Sequence, residues 1–286
     1  MFYLSTSQEL NHKYSIVAVH GLGSAPKRAW LHKASKKMWL KDFLPEERDI
    51  KRSRIMLANH ESDWSNNAAD NPLGKYSEAI LQGLKEQRST KEEAKRPIIF
   101  IAHSFGGILV KRALVIASRS NDQGYRQIYE MTKGVIFLGT PHKGAIISRI
   151  GRVVALTSYW MGSSIKLLDL LDVASTHNRE IGDDYLDIST ELVHIDFYEM
   201  LAEQTFGIPT GIVNSQAVPR DRATIDGRAN YGLYATHRGI NKFPSREDNN
   251  YAQVLRRLIS IVDYCRQLNE PMHEEMKKEE GRQKRS

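Results

Sequence analysis

Apolar residues fall along this chain in short clusters separated by polar and glycine-rich breaks. Runs rich in β-branched and aromatic residues at 14–19, 53–58, 97–102, 134–138, 192–197 and 207–214 have the length and composition of strands. Between them, apolar positions recur every three or four residues. This predicts helices over 72–88, where Tyr76, Ile80, Leu81 and Leu84 share a face, and over 108–118. A basic helix is expected near residues 30–43 and a polar loop over 89–96. A last helix is expected from about Arg246 to Leu268, with Ser245 and Asp248 as its capping pair and Tyr251, Val254, Leu255, Leu258, Val262 and Cys265 on one face. Strands alternating with helices in this way predict an α/β fold, a mostly parallel central sheet covered on both faces. Residues 145–190 read as helical and exceed a simple crossover, so a helical cap is expected there, its Trp160 and Met161 facing a hydrophobic substrate. Residues 272–286 read as a charged, frayed tail, leaving a single domain over 1–271.

Composition narrows the classes. With 286 residues, 41% of them hydrophobic and 26% charged, the chain suits one globular domain, and none of its apolar runs approaches the roughly 20 residues of a membrane span. The first 15 residues resemble neither a secretory leader nor a transit peptide, so a cytoplasmic protein is expected. Cys265 is the only cysteine, which excludes an intramolecular disulfide and a cysteine-based zinc site. No cofactor or metal is expected. The net charge of +7 comes almost wholly from residues 27–54, where ten Lys and Arg face four acids. No nucleic-acid-binding motif accompanies that cluster, so nucleic acid is not the expected partner. Interleaved with Trp30, Trp39 and Phe43, the cations suggest peripheral contact with an anionic membrane.

The chemistry concentrates where an apolar strand meets a helix. In Ala102-His103-Ser104-Phe105-Gly106 a sharp turn can hold the Ser104 hydroxyl clear of the backbone, although Ala102 stands where the G-x-S-x-G pattern has its first glycine. His20-Gly21-Leu22-Gly23 ends the first strand, where a glycine turn can aim a backbone N–H at a developing oxyanion. Leu22 is the candidate donor and Phe105 its partner. A serine needs an imidazole to take its proton, and the imidazole a carboxylate to fix its tautomer. His237, just before the last helix, has the right position and order. Asp196, Glu199, Asp221 and Asp226 all lie between it and the serine. His142 and Lys143 follow the strand ending at Gly139 and are candidates to line the pocket. His103 is expected to point into the sheet packing.

The blocks VHGLGS (19–24), WLKDFLP (39–45), IAHSFGGILVKRAL (101–114), GVIFLGTPHKG (134–144) and HRGINKFPSREDNNYAQVLRRL (237–258) resemble the α/β-hydrolases of the lipase-like serine-esterase group. That group includes GPI inositol-deacylase-like and serine-active-site-containing proteins, and similar domains in fungal receptor-like proteins. The resemblance covers roughly residues 14–265. It implies an α/β-hydrolase fold, Ser104 as nucleophile, His237 as general base, Leu22 and Phe105 as oxyanion donors and, from Phe197-Tyr198-Glu199, Glu199 as the acid. The implied activity is hydrolysis of small-molecule or lipid carboxylic esters through an acyl-enzyme. An interaction or signalling domain with little turnover is the alternative.

Overall fold

The structure is a computed structural model that describes residues 2–4, 12–21, 25–59, 72–142, 180–202 and 218–283. Nine strands are described: β1 (Phe2–Leu4), β2 (Tyr14–Val19), β3 (Leu31–His32), β4 (Lys37–Met38), β5 (Ser53–Ala58), β6 (Ile98–His103), β7 (Thr132–Leu138), β8 (Val193–Glu199) and β9 (Ala229–Leu233). The helices are α1 (Pro26–Ala29), α2 (Trp39–Asp42), α3 (Pro72–Glu86), α4 (Lys91–Ala94), α5 (Phe105–Arg119), α6 (Gln123–Met131), α7 (180–188), α8 (Arg220–Ala223) and α9 (Asn249–Gln283).

Seven strands form one sheet in the order β1-β5-β2-β6-β7-β8-β9, parallel except for β1 at its edge. Alternation sorts the apolar runs onto two faces. Val17, Val19, Phe100, Ala102, Val135 and Phe137 enter one core with α3, α5 and α6. Ile16, Ala18, Ile99, Ile101, Ile136 and Leu138 enter the other with α9 and the segment of Trp30 and Trp39. Continuous apolar strands are therefore buried on both sides, as a parallel sheet requires. Every parallel strand points its C-terminus at the same edge, where open α/β sheets place their ligands.

Several expectations are corrected. Residues 30–43 are not one helix. Trp30, Trp39 and Phe43 turn inward at 0%, 0% and 5% exposure, and β3 and β4 pair as a short ribbon with Lys36 at φ 55°. Ser35 N donates to His32 Nδ1 at 3.2 Å inside that turn, and the ribbon brings Trp30 and Trp39 edge to face at 6.1 Å. The expected loop at 89–96 contains α4, built on a Thr90/Glu93 capping box. Strands β1 and β9 and helix α6 lie where the pattern predicted no element. In the last of these Asp122 caps the N–H groups of Gly124 and Tyr125 at 2.8 and 3.1 Å. Helix α9 begins at Asn249 with Asp248 Oδ1 accepting from Tyr251 N at 2.9 Å, and its backbone runs on to Gln283 through the expected tail. Its thiol, Cys265, is buried, which pushes its pKa up to about 12. The strand expected at 207–214 and the cap over 145–179 lie outside the described residues. The remainder of the expected cap range holds α7, and its Ile181 and Tyr185 are part of the core over α5 rather than a separate layer.

Candidate active site

Strand β6 and helix α5 meet at Ser104, and the turn between them is strained. Ser104 has φ 53° and ψ −125°, a conformation that costs on the order of 1–3 kcal/mol outside glycine. The surroundings over-determine it. Ser104 N donates to Leu138 O at 3.0 Å, and Gly107 N donates to Ser104 O at 3.0 Å. The turn also runs against β2: a Cβ on Gly106 would lie 2.5 Å from the carbonyl oxygens of both Val19 and His20, so that position admits only glycine. Ala102, by contrast, lies within β6 between Val19 and Phe137, fully buried, and its methyl group fits.

His237 reaches Ser104 from the loop before α9. Its Nε2 is 2.9 Å from Ser104 Oγ, and its Nδ1 is 2.7 Å from Glu199 Oε2. Glu199, the last residue of β8 and fully buried, accepts Val218 N–H at its other oxygen at 2.7 Å. The carboxylate can only accept, so Nδ1 carries the imidazole proton and Nε2 presents its lone pair to the serine hydroxyl. The loop is fixed from three sides. His103 Nε2 lies 2.9 Å from the His237 carbonyl, Asn241 Nδ2 donates to Ala29 O at 2.9 Å, and Trp39 Nε1 donates to Asn241 O at 2.9 Å. His103, expected to serve packing alone, thus buttresses the backbone of His237. Desolvation, and then the neighbouring His237, keep its pKa well below that of an ordinary imidazole, so it supports the loop as a neutral ring. Gly139, at φ 59°, leaves room beside the imidazole, since a Cβ there would come within 3.2 Å of His237 Nδ1.

The structure thus brings Ser104, His237 and Glu199 together, and places Phe105 at the first position of α5, where backbone N–H groups have no intrahelical acceptor. Leu22, Lys143, Trp160 and Met161 lie outside the described residues. Asp221 and Asp226 are exposed on and after α8. Asp196 and His142, the latter expected to line the pocket, meet in a second cluster. His142 is 5% exposed, with Nε2 3.0 Å from Asp196 Oδ1. His194 Nε2 lies 2.7 Å from the same oxygen, and Asp196 Oδ2 accepts Ile225 N–H at 2.9 Å.

Lys111, seven residues beyond the serine on α5, is fully buried above the Tyr185 ring and close enough for its charge to act on Asp196. Burial lowers the Lys111 pKa to about 8 and that of His142 to about 4. Burial pulls the Asp196 carboxyl upward, but His142 and His194 outweigh it and hold it below the usual carboxylate range. His142, His194 and Asp196 also offer three metal-type ligand atoms within 4.8 Å of one another. The cation beside them is the Lys111 ammonium. A single buried lysine on an otherwise apolar helix face was the one sequence signal for this cluster, since its other members arrive from β7's exit and β8.

No family model matches the chain. Over 201 residues, 63% of its length, it is 27% identical to zebrafish Protein SERAC1, and over 200 residues, 65% of its length, it is 24% identical to the human protein. Each alignment covers 29% of the relative, so the chain matches less than a third of those proteins. Among solved structures, the mature Bacillus licheniformis lipase BlEst2 superposes over 91% of this chain and 98% of its own, with a TM-score of 0.56 at 18% identity. Staphylococcus hyicus lipase superposes over 91% and 99%, with a TM-score of 0.50 at 13% identity. At such identities the likeness defines the fold.

Proposed function

On the α/β-hydrolase fold that this chain adopts, we propose that Ser104, His237 and Glu199 form the catalytic triad of a serine hydrolase that cleaves carboxylic esters through an acyl-enzyme. The supporting observation is the unbroken relay from Ser104 Oγ to His237 Nε2 at 2.9 Å and from Nδ1 to Glu199 at 2.7 Å, mounted on a strained strand-to-helix turn. In the first half-reaction Oγ attacks the ester carbonyl while its proton passes to Nε2. The carbonyl oxygen becomes an oxyanion and accepts the Phe105 N–H, with Leu22 supplying the second donor. The intermediate collapses by breaking the C–O bond, and His237 returns the proton to the departing alcohol. Water, deprotonated by His237, then releases the acid and frees the serine. Glu199, already anchored by Val218, stabilises the imidazolium without taking its proton.

A hydrophobic acyl group is the proposed substrate feature. It is supported by the apolar side chains over 153–171, Trp160 and Met161 among them, and is compatible with the lipases named above. The test is hydrolysis of p-nitrophenyl esters of increasing chain length, with and without chelator, alongside covalent labelling by a fluorophosphonate. Ser104→Ala should abolish both hydrolysis and labelling. Either one persisting undiminished in that variant removes the serine from the mechanism.

A further inference from the structure

Seven exposed cations of the segment between β2 and β5 have no acidic partner among the described residues, and five of them lie within residues 28–41. Arg28, Lys33, Lys36, Lys37 and Lys41 are exposed and make no ion pair among the described residues. Three of the four acids nearby are held by other groups. Asp42 Oδ2 accepts Met38 N–H at 2.7 Å, Glu47 pairs with Arg246 at 3.0 Å and accepts the Tyr251 hydroxyl at 3.1 Å, and Asp49 pairs with Arg266 at 3.1 Å. Other exposed cations do find acids, as in Lys85 with Asp122 and Arg119 with Asp184, both at 2.6 Å. Exposed cations without an ion pair among the described residues also occur elsewhere, as at Lys13, Lys75, Lys91 and Lys95, so what sets this segment apart is density, with five such cations within residues 28–41.

That segment is rigidly tied to the site. Trp39 and Ala29 bond to Asn241, four residues after His237 on the same loop, each at 2.9 Å. Two large apolar side chains open to solvent flank the triad itself: Met200, 51% exposed, follows Glu199, and Tyr234, 72% exposed, precedes His237 by three residues. Tyrosine is at home in the headgroup region of a bilayer, where its ring is shielded and its hydroxyl stays wet.

We propose that this basic face docks the protein on an anionic lipid surface and so presents the ester-hydrolysing site to its substrate there, an inference that rests on the ester-hydrolase reading above. Nucleic acid is disfavoured by the same observations. Four of the five cations are lysines, hydrated point charges without the bidentate fork of arginine. The aromatic side chains interleaved with them, Trp30, Trp39 and Phe43, are buried in the core and offer no platform on which bases could stack. This also removes them from any direct role in membrane contact, and leaves Tyr234 and Met200 as the apolar contribution.

The test is co-sedimentation of the full chain with phosphatidylcholine vesicles, with and without phosphatidylserine, and with duplex DNA as competitor. Binding should require phosphatidylserine and disappear as salt approaches about 1 M, where screening acts within about 3 Å. Each near-surface cation contributes about a fivefold factor in partitioning, so Lys33→Glu/Lys36→Glu/Lys37→Glu should weaken binding by about a hundredfold or more. A charge-matched set at the amino edge of the sheet, Lys13→Glu/Lys91→Glu/Lys95→Glu, should retain binding within about tenfold, and Tyr234→Ser should lose a few-fold that salt does not restore. Hydrolysis of a soluble short-chain ester should be equal in all of these variants. Failure of the wild type to bind phosphatidylserine vesicles, equal losses in the two charge-reversed sets, or preferential binding of DNA would each overturn the proposal. An inactive wild type that still binds in this pattern would instead count against the hydrolase reading alone.

Discussion

Replacing Glu199 by glutamine tests the proposed triad at its most informative atom. Glu199 Oε1 accepts the Val218 N–H at 2.7 Å, so a glutamine must keep its carbonyl oxygen there and turn its amide nitrogen toward His237 Nδ1. That nitrogen only donates. Across the 2.7 Å contact Nδ1 would have to become an acceptor, which moves the imidazole proton to Nε2 and aims an N–H at Ser104 Oγ, 2.9 Å away. The lone pair needed to take the serine proton is then on the wrong nitrogen. Restoring the productive tautomer sets two donors face to face. It costs at least the charge-assisted hydrogen bond, about 1.5–3 kcal/mol, and the imidazolium formed in the transition state loses its counter-charge as well. Together these amount to about 5 kcal/mol, or about a ten-thousandfold loss in kcat with KM little changed, as such triads lose when their acid becomes an amide. The assay is steady-state hydrolysis of a p-nitrophenyl ester together with the rate of fluorophosphonate labelling, with thermal unfolding as a control for folding. Asp221→Asn and Asp226→Asn, at exposed positions, should leave kcat within about twofold. Asp196→Asn should mainly cost stability, about 3–5 kcal/mol, because it leaves Lys111 buried beside a neutral partner. A Glu199→Gln enzyme within tenfold of wild type, with collapse in Asp196→Asn, would refute the assignment of the acid.

The Asp196 cluster carries a stability prediction with a definite sign. His142 has its pKa lowered to about 4 from an ordinary 6.5, chiefly by burial, so the unfolded chain takes up a proton first as the pH falls. Stability from this group is fully present above about 6.5 and lost by about 4, an effect of about 3 kcal/mol, and His103 acts in the same direction. Urea unfolding across that range should show the loss, and His142→Gln should flatten the curve; an unchanged slope would mean that His142 does not titrate as argued. Lys111→Met removes the resident cation beside Asp196, and His142 should then hold its proton nearer to neutral pH, read from its imidazole resonances by NMR; an unmoved resonance would sever the link between the two. Gly106→Ala would force a methyl group within 2.5 Å of two carbonyl oxygens of β2 and its exit, so it should cost about 3 kcal/mol or prevent folding, and wild-type thermal stability in that variant would show that the elbow can shift.

How much of this was legible in the sequence depends on how many elements each feature needs. Strands β2, β5, β6 and β7 were legible because a strand covered on both faces carries a continuous apolar run, and β8 because β-branched and aromatic residues alternate with polar ones along it, both local properties. The small residues of the Ser104 turn are local in the same sense: a Cβ on Gly106 would lie 2.5 Å from backbone carbonyl oxygens, and no other residue type would avoid that. The β3–β4 ribbon was not legible. Trp30, Trp39 and Phe43 fit a helix face and an inward-folded ribbon equally well, and the decisive feature, Lys36 at φ 55°, is set by a residue type that gives no turn signal. Strand β9, with Asn230 and Gly232 and largely half-buried side chains, lacks the apolar run that marks its neighbours.

The choice among the carboxylates shows the same limit at the site. Asp196 and Glu199 stand three residues apart on one strand, and each accepts a backbone N–H from one end of a single segment, at Ile225 and Val218 respectively. Both are buried and both face imidazoles, so neither burial nor a histidine neighbour separates them. What separates them is the far side of the imidazole. The histidines at Asp196 lead to Tyr185 and to the core beside Lys111, so the charge there is balanced within the fold and has no group to activate. The histidine at Glu199 leads to a hydroxyl held on a strained turn at the carboxyl edge of the sheet, the group that the proposed reaction activates. The difference between a structural carboxylate and a candidate catalytic one therefore lies two contacts away, on α5 in one case and at the end of β6 in the other, which is a distance no spacing along the chain encodes.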